Sequence, residues 1–385
     1  MVHLPSADDV RIPDDPTGSN CGSDRDVALL KDLAAQILGE RDHMVGFPVN
    51  LDFDYRPLAD FLQVHGNNVG GPGTDSEYHL HSKVFERAVV SFFARLAGDD
   101  DAFGYVTSGG TEGNLYGCYL GRERFPEAVL YASETTHYSM PKIARLLGMD
   151  YVAVETGPDR AMDLAALRRH HSSRKGRPAV VVATIGTTTG GAEDDLAGIR
   201  GALADAGTDQ VHLHSDAAFG GLIAALAPEP RPWAFESGAD SVAISGHKML
   251  GAPFPCGIAL ARPEHVDAIR REGIAVGSDD DTITGSRDAF TPLLLWYELR
   301  RLGRTGLQRR VAHCLATAEY AEQRLREEGL HPQRAPGSNT VLFETPAADI
   351  CARWNLLTVG DQAHLIAMPH VTGEHIDRLC ADLRT

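Results

Sequence analysis

The chain has 385 residues, 43% of them hydrophobic, which is enough for the buried cores of two or three domains. Acidic residues outnumber basic ones by 53 to 36, for a formal charge of −17, and no lysine- or arginine-rich block could follow a phosphate backbone. We therefore expect no nucleic-acid partner. The six cysteines are scattered without a CxxC pair or zinc spacing, which predicts reduced thiols in a cytoplasmic protein and no metal site.

The N-terminal segment, residues 1–15, is polar and contains prolines. It lacks the charged and then apolar pattern of a signal peptide, so we expect an N-terminal arm. The longest apolar runs, such as residues 219–227, are far shorter than the ~20 residues of a membrane helix, and we expect no membrane partner.

Apolar residues recur at helical spacing over residues 26–41, before a glycine- and proline-containing loop at 46–50. A glycine- and asparagine-rich stretch, 66–76, precedes a second predicted helix at about 81–96. We assign residues 1–45 to the arm and first helix.

From residue 103 onward, short β-branched runs alternate with helical patterns. Continuous apolar runs of this kind are typical of strands buried on both faces. The pattern predicts a large α/β domain, residues 46–287, around a mostly parallel sheet. Its predicted strands are 104–107, 128–131, 151–154, 179–184, 211–214, 241–244 and 257–260.

The pattern changes at about Asp288. A helix rich in leucine and tryptophan, 292–302, leads into a long amphipathic helix that stops at Gly329. Two strands, 340–343 and 364–368, and a closing helix follow. These elements predict a small C-terminal α+β domain, residues 288–385.

A lysine stands directly after the predicted strand 241–244, in the order Ser245, Gly246, His247, Lys248. A lysine at the end of a buried strand can form a Schiff base with a carbonyl cofactor, which is how proteins hold pyridoxal phosphate. Most lysines are solvated surface charges, so the position alone is weak support. Three upstream stretches point to the same site.

The first of these, residues 107–114, reads Thr-Ser-Gly-Gly-Thr-Glu-Gly-Asn and lies between a predicted strand and a predicted helix. Gly109 and Gly110 allow close backbone approach, and the free amides of a helix N-terminus favour an anion. A phosphate-binding cup and a plain glycine-rich turn both fit this pattern. The stretch is neither a Walker A nor a GxGxxG loop, which argues against a nucleotide.

The other two stretches contain an aspartate and a histidine. Asp216 ends a buried strand, and a buried carboxylate needs a cation such as the protonated ring nitrogen of pyridoxal phosphate. Ala218 is small enough to leave a flat face for the ring. His137 follows a third strand and could stack on the opposite face, although a lone histidine at a strand end is more often structural.

Five motifs, in this order along the chain, resemble those of the pyridoxal-phosphate group II amino acid decarboxylases. The resemblance is to the bacterial histidine decarboxylases and plant serine decarboxylases in particular. The motifs are Ser-Gly-Gly-Thr-Glu-Gly-Asn (108–114), Thr-His-Tyr-Ser (136–139), Ile-Gly-Thr-Thr (185–188), Asp-Ala-Ala (216–218) and Ser-Gly-His-Lys-Met (245–249).

The resemblance extends from about residue 46 through 285–287 and into 363–369. It implies an α/β fold of the aspartate aminotransferase type, known as PLP fold type I. It also implies a homodimer whose active sites are shared between subunits and an amino acid as the small-molecule substrate.

The resemblance further implies a role for each matching residue. Lys248 would hold the cofactor covalently, Asp216 would pair with its ring nitrogen, and His137 would stack on its ring. Thr187 would lie near the ring's edge, and Tyr78 is a fourth catalytic candidate. The phosphate would be held by Gly109, Gly110 and Thr111, helped by Ser245 and His247.

The chain departs from the family pattern where the substrate should bind. Relatives usually read Gly-Asp-Pro-Phe and Ser-Asn-Tyr-Gly in the early loop, whereas this chain has Gly-Gly-Pro-Gly at 70–73 and Ser-Glu-Tyr-His at 76–79. Relatives show Asn-Gly-His where this chain has Asp-Ala-Phe at 288–290, and they place a tyrosine near Ala275. Loop drift and a reshaped pocket both fit, and the clustering of the changes favours a reshaped pocket.

The leading hypothesis is an amino acid α-decarboxylase that releases an amine and CO₂, with histidine, serine or a related specialised amino acid as substrate. A decarboxylating aldehyde synthase or another carbon–carbon lyase is the alternative, because loss of a protonating tyrosine could admit oxygen chemistry. A non-catalytic relative and a nucleotide-binding dehydrogenase are less favoured. Glu77 indicates a basic or hydrogen-bond-donating substrate, or else it is a solvated loop residue.

Overall fold

The computed structural model describes residues 5–12, 14, 23–174, 176–273 and 276–384. The arm expected at 1–15 is therefore described only at 5–12 and 14, where the chain forms no helix or strand. Cys21 and Ala275 lie outside the described residues.

A sheet of seven strands forms the centre of the structure. The strands are β1 (Phe103–Thr107), β2 (Val129–Ser133), β3 (Asp150–Val154), β4 (Ala179–Thr184), β5 (Val211–Asp216), β6 (Ser241–Ser245) and β7 (Gly257–Ala261). Their order is β1-β7-β6-β5-β4-β2-β3, and β7 runs antiparallel to both of its neighbours while the other pairs are parallel. The predicted mostly parallel sheet is confirmed.

The sheet is buried on both faces, as its continuous apolar runs predict. Alternate residues of β4 belong to different buried clusters: Val181 and Ala183 pack in the largest core, whereas Val180 and Val182 pack in a separate cluster. Strand side chains alternate between faces, so both faces of β4 are covered.

Eleven helices in the described ranges connect and flank the strands. They are α1 (Asp24–Gly39), α2 (Lys83–Leu96), α3 (Gly110–Arg124), α4 (Met140–Leu147), α5 (Leu164–Ser172), α6 (Leu196–Asp205), α7 (Gly221–Leu226), α8 (Pro263–Asp267), α9 (Phe290–Glu327), α10 (Ala348–Arg353) and α11 (Gly373–Asp382). Short 3₁₀ helices lie at Glu40–His43, Arg56–Gln63 and Phe235–Ser237. Within the described ranges, no helix has the length and apolar character needed to cross a membrane.

α9 spans the two helices predicted after residue 288. It is interrupted at Gly303, where φ is 59° and ψ is −178°, a backbone conformation that favours glycine. Its earlier part packs in the largest core through residues such as Leu307, and its later part packs in the C-terminal core through residues such as Leu325. The division into domains at residues 46 and 288 stays a prediction.

A hairpin of β8 (Arg271–Gly273) and β9 (Ser278–Asp280) lies in a stretch where no strands are predicted from the sequence. Further on, β10 (Thr340–Glu344), β11 (Leu357–Val359) and β12 (Gln362–Ile366) form an antiparallel sheet in the order β10-β12-β11. β12 begins and ends two residues earlier than expected: Gln362 already pairs with Glu344 of β10, and the Ala367 amide donates to the carbonyl of Asn339, which precedes β10. These elements form the predicted C-terminal α+β unit.

Buried charges anchor the early loop, residues 66–82, to the segment before α9. Arg287 forms an ion pair with Glu86, and both side chains are buried. Arg287 Nη2 also donates to the Gly70 carbonyl at 2.9 Å, and Lys83 Nζ donates to the Thr74 carbonyl at 2.8 Å. The two sequence stretches that depart from the family pattern are thus held near each other.

Candidate active site

A cavity of about 330 Å³ opens where several parallel strands of the central sheet end. Polar side chains and glycines from the turns after β1, β2, β4, β5 and β6 converge on it, as expected at the carboxyl edge of such a sheet. The cavity is lined by Ser108, Gly109, Gly110, Thr111, Glu112, Asn114, His137, Tyr138, Thr184, Gly186, Thr188, Asp216, Ala218, Phe219, Ser245, His247, Lys248 and Pro255.

The predicted phosphate cup forms one end of this cavity, at the N-terminus of α3. Gly109 precedes the helix with φ 148° and ψ 176°, a conformation open only to glycine. A methyl group on Gly110 would lie 3.1 Å from Ala218 Cβ and 3.2 Å from Ser245 Oγ. The backbone therefore approaches the opposite wall closely, and the first-turn amides of α3 are available to an anion.

Glu112 holds the cup in shape, a role that the sequence reasoning did not assign. Its Oε2 accepts hydrogen bonds from the Ser108 amide at 2.8 Å and the Ser108 hydroxyl at 2.7 Å. Its Oε1 accepts one from the Tyr105 hydroxyl at 3.1 Å. Glu112 is the acidic residue of the first turn of α3, and an acidic residue at a predicted helix start is the sequence signal that could have revealed it.

Lys248 lies in the turn after β6, with its Nζ 5.6 Å from the centre of the Phe219 ring. Burial lowers the pKa of the lysine ammonium group, and the nearby Asp216 carboxylate partly opposes the shift. A lowered pKa increases the fraction of neutral amine, the nucleophilic form. Phe219 supplies an apolar wall that the sequence analysis did not identify.

Asp216, at the end of β5, is 5% exposed and faces the cavity. Its Oδ1 accepts a hydrogen bond from the Ala218 amide at 3.2 Å, and its Oδ2 accepts one from Asn114 Nδ2 at 2.8 Å. Asn114 belongs to the glycine-rich motif 108–114, but its role was not predicted from the sequence. It lies four residues after Gly110, hence on the same face of α3, and this spacing was an available signal.

His137 lines the cavity as predicted, with its Nδ1 2.8 Å from the Ser139 hydroxyl. Burial lowers the pKa of its imidazole, which favours the neutral ring. His247 also lines the cavity, and its Nδ1 lies 2.9 Å from the Cys256 carbonyl oxygen. Both histidines are therefore positioned by polar contacts beside Lys248.

Two predicted site residues do not line this cavity. Thr187 is buried and its hydroxyl accepts from the Ala192 amide at 3.1 Å, while its neighbour Thr188 faces the cavity. The Tyr78 hydroxyl lies 2.8 Å from His65 Nδ1, in the early loop. The roles given to Thr187 and Tyr78 stay predictions, and the loop position Ala275 lies outside the described residues.

These residues fit pyridoxal phosphate. The glycine cradle at the start of α3 suits its phosphate, the buried carboxylate of Asp216 suits a protonated ring nitrogen, and Lys248 suits its aldehyde. Within the described ranges, no group of histidine, cysteine, aspartate and glutamate side chains has the arrangement of a metal site.

Comparisons with known proteins agree with this chemistry. Residues 123–331 match the family model described as the pyridoxal-dependent decarboxylase conserved domain. The chain is 40% identical to histidine decarboxylase of Mesorhizobium japonicum over 92% of this chain and 96% of that protein. It is 37% identical to serine decarboxylase 1 of Oryza sativa subsp. japonica over 99% of this chain and 79% of that protein.

Among solved structures, L-methionine decarboxylase from Streptomyces sp. 590 is similar over 98% of both chains, with a TM-score of 0.85 and 26% identity. The predicted aspartate-aminotransferase-type fold and the pyridoxal phosphate cofactor are confirmed by these similarities.

We expect borohydride to fix the cofactor irreversibly on Lys248 Nζ, since this amine is the buried nucleophile of the cavity. Lys248→Ala should lose this attachment and all turnover while keeping the circular dichroism spectrum of the folded protein. Lys142→Ala, which removes an exposed lysine, is the matched control and should behave as the parent protein. Peptide mapping by mass spectrometry checks the position, and attachment to any other residue would contradict the assignment.

Proposed function

We propose, from the premise that this chain belongs to the pyridoxal-dependent decarboxylase family, that it decarboxylates histidine or a closely related amino acid. The reaction class is established by the family: pyridoxal-phosphate-dependent release of CO₂ from an amino acid. The observation that carries the choice of histidine is the 40% identity to a histidine decarboxylase across nearly the whole of both proteins.

When bound, pyridoxal phosphate withdraws the electron pair left on the substrate's α-carbon as CO₂ departs. In our proposal, Lys248 binds the cofactor through its neutral amine, and Asp216 keeps a positive charge on the ring nitrogen. The first-turn amides after Gly109 hold the phosphate. His137 and Ala218, which both line the cavity, would lie against opposite faces of the ring.

Glu77 supports a substrate whose side chain is basic or donates hydrogen bonds. Its carboxylate is exposed, and its amide donates to the Val276 carbonyl at 3.1 Å, which holds the early loop against the β8–β9 hairpin. Glu77 does not line the cavity of its own subunit. The proposed homodimer offers a way to bring this loop to a cavity, because the family's active sites are shared between subunits.

The homodimer is supported by the surface of α1. None of the sixteen residues of this helix, all of them described, is buried. Leu30, Ile37 and Leu38 are 63%, 55% and 66% exposed, an arrangement that is costly in water unless another surface covers it. A second copy of the chain is the proposed partner.

We also propose that the protein works in the cytoplasm. The five described cysteines are unpaired thiols, and Cys118, Cys256, Cys314 and Cys380 are buried. Unpaired cysteines of this kind are typical of a reducing compartment.

A panel of amino acids tests the proposed substrate directly. We expect histidine to give the highest kcat/KM, with amine and CO₂ formed in equal amounts. The measurement is paired quantification of CO₂ and amine, with ammonia, aldehyde and peroxide assayed alongside. A preference for an amino acid unlike histidine would contradict the proposal, and aldehyde with ammonia and peroxide would favour the aldehyde synthase.

Glu77→Asn should raise KM for histidine far more than for a neutral amino acid, because it removes the charge that would attract a cationic side chain. Glu229→Asn removes another exposed carboxylate outside the loop and serves as the control. Steady-state kinetics with both substrates check the difference. The role of Glu77 would be contradicted if the variant changed KM equally for the two substrates, or if the parent protein preferred an acidic amino acid.

The double variant Leu30→Glu with Leu38→Glu should convert the dimer to monomers, because it places charges in an apolar contact. Leu146→Glu changes another leucine that is 68% exposed, on α4, and should leave the dimer intact. Sedimentation velocity distinguishes the two species. If the double variant is still a dimer, the α1 face is not the interface. If the parent protein itself is a monomer, the proposed homodimer is wrong.

A further inference from the structure

A continuous line of buried polar side chains leads from Asp216 into the core. Asn114 Nδ2 lies 2.8 Å from Asp216 Oδ2, and Asn114 Oδ1 lies 2.9 Å from His214 Nε2. His214 Nδ1 lies 2.9 Å from the Ser241 hydroxyl, which lies 3.0 Å from His212 Nε2. Asn114, His214, Ser241 and His212 are each at most 2% exposed. The proposed mechanism gives a role only to Asp216, at the start of this line.

The hydrogen bonds of this line have one consistent direction. Burial lowers the pKa of His214 to about 3, so its ring is neutral and carries a single N–H. Because Asn114 Nδ2 donates to Asp216, the free Asn114 oxygen accepts from His214 Nε2. His214 Nδ1 then accepts from the Ser241 hydroxyl. Every donor in the line points toward the carboxylate.

The far end of the line agrees with this direction. The Ser241 hydroxyl has one proton, which it gives to His214, so its second contact must come from His212 Nε2–H. His212 Nδ1 is then unprotonated, and no donor among the described residues forms a hydrogen bond with it. Burial lowers the pKa of His212 well below its usual value, so the ring stays neutral.

The chain makes room for this line at a cost to helix α3. A methyl group on Gly117 would lie 2.0 Å from His214 Nδ1, and one on Gly121 would lie 2.7 Å from Val180 Cγ2 and 3.0 Å from the His212 ring. Glycine inside a helix is destabilising by roughly 0.5–1 kcal/mol relative to alanine. Gly117 is contacted most closely by the His214 ring alone, which indicates that a glycine at this position makes room for that ring.

We propose that Asn114, His214 and Ser241 are positioning residues that hold Asp216 as a carboxylate aimed at the cofactor's ring nitrogen. Aligned neutral donors favour the ionised carboxylate without neutralising its charge, and successive hydrogen bonds of one direction polarise each other. A lysine or arginine in place of Asn114 would compete with the ring nitrogen for that charge. This inference rests on the proposed function, since it assumes that Asp216 meets the ring nitrogen.

Cofactor competition tests the line apart from activity. The holoenzyme is equilibrated with mixtures of pyridoxal phosphate and its 1-deaza analogue, in which C–H replaces the ring nitrogen, and the bound ratio is measured. The preference for pyridoxal phosphate over this analogue reports the contribution of the ring nitrogen to binding. We expect His214→Leu to reduce this preference by up to roughly tenfold, in line with the loss of the hydrogen bond between neutral groups that orients Asn114. Asp216→Asn removes the negative charge that faces the ring nitrogen, so it should give the lowest preference of all the variants.

Three variants distinguish a loss of hydrogen bonding to Asp216 from a general disturbance of core packing. His214→Gln can still donate to Asn114 and accept from Ser241, so it should restore the preference. Ser241→Ala is a smaller change that should lower the preference and serves if His214→Leu does not fold. His171→Leu removes a buried histidine that contacts the Tyr131 hydroxyl instead, and it should leave the preference unchanged.

The positioning role would be overturned if His214→Leu or Ser241→Ala left the preference unchanged, or if they weakened the binding of both cofactors equally. Either result would leave the proposed function intact. A parent enzyme that binds both cofactors equally would instead remove Asp216 from the ring nitrogen. That outcome would overturn the proposed mechanism together with the inference.

Discussion

The buried carboxylate of Asp216 is the constraint on which the rest of the site depends. It ends β5, the middle strand of the seven, and is 5% exposed. Removing a carboxylate from water costs several kcal/mol unless hydrogen bonds and an opposite charge compensate. The Ala218 amide and Asn114 supply the hydrogen bonds, and a protonated ring nitrogen would supply the charge. The cavity is therefore electrostatically matched to one class of cofactor.

α3 connects the separate requirements of this site. Its first turn faces the phosphate position, Asn114 in its second turn contacts Asp216, and Gly117 in its third leaves space for His214. A shift of this helix would disturb all three contacts together. Glu112 fixes its start by accepting both hydrogen bonds from Ser108, so the proposed phosphate position and the contact with Asp216 are held by the same helix.

The sequence predicted the central sheet well because its strands are continuous apolar runs, whereas the exposed three-residue strand β11 carries no such signal. The positions of Lys248, Asp216 and His137 were predictable because each lies at the end of a buried strand or a few residues after it. The line through His214 and Ser241 could not be predicted, since it joins β5, β6 and α3 through space. Thr187 and Thr188 show the same limit. The backbone conformation of the turn determines which of the two side chains faces the cavity, and the spacing of residues in the sequence does not predict that conformation.

Nitrogen-15 NMR of the holoenzyme, reconstituted with pyridoxal phosphate labelled at its ring nitrogen, tests the central electrostatic match most directly. If the Asp216 carboxylate pairs with the ring, the labelled nitrogen will have the chemical shift of a protonated pyridine and will show coupling to a bound proton. A chemical shift typical of an unprotonated pyridine in the parent enzyme would contradict this pairing.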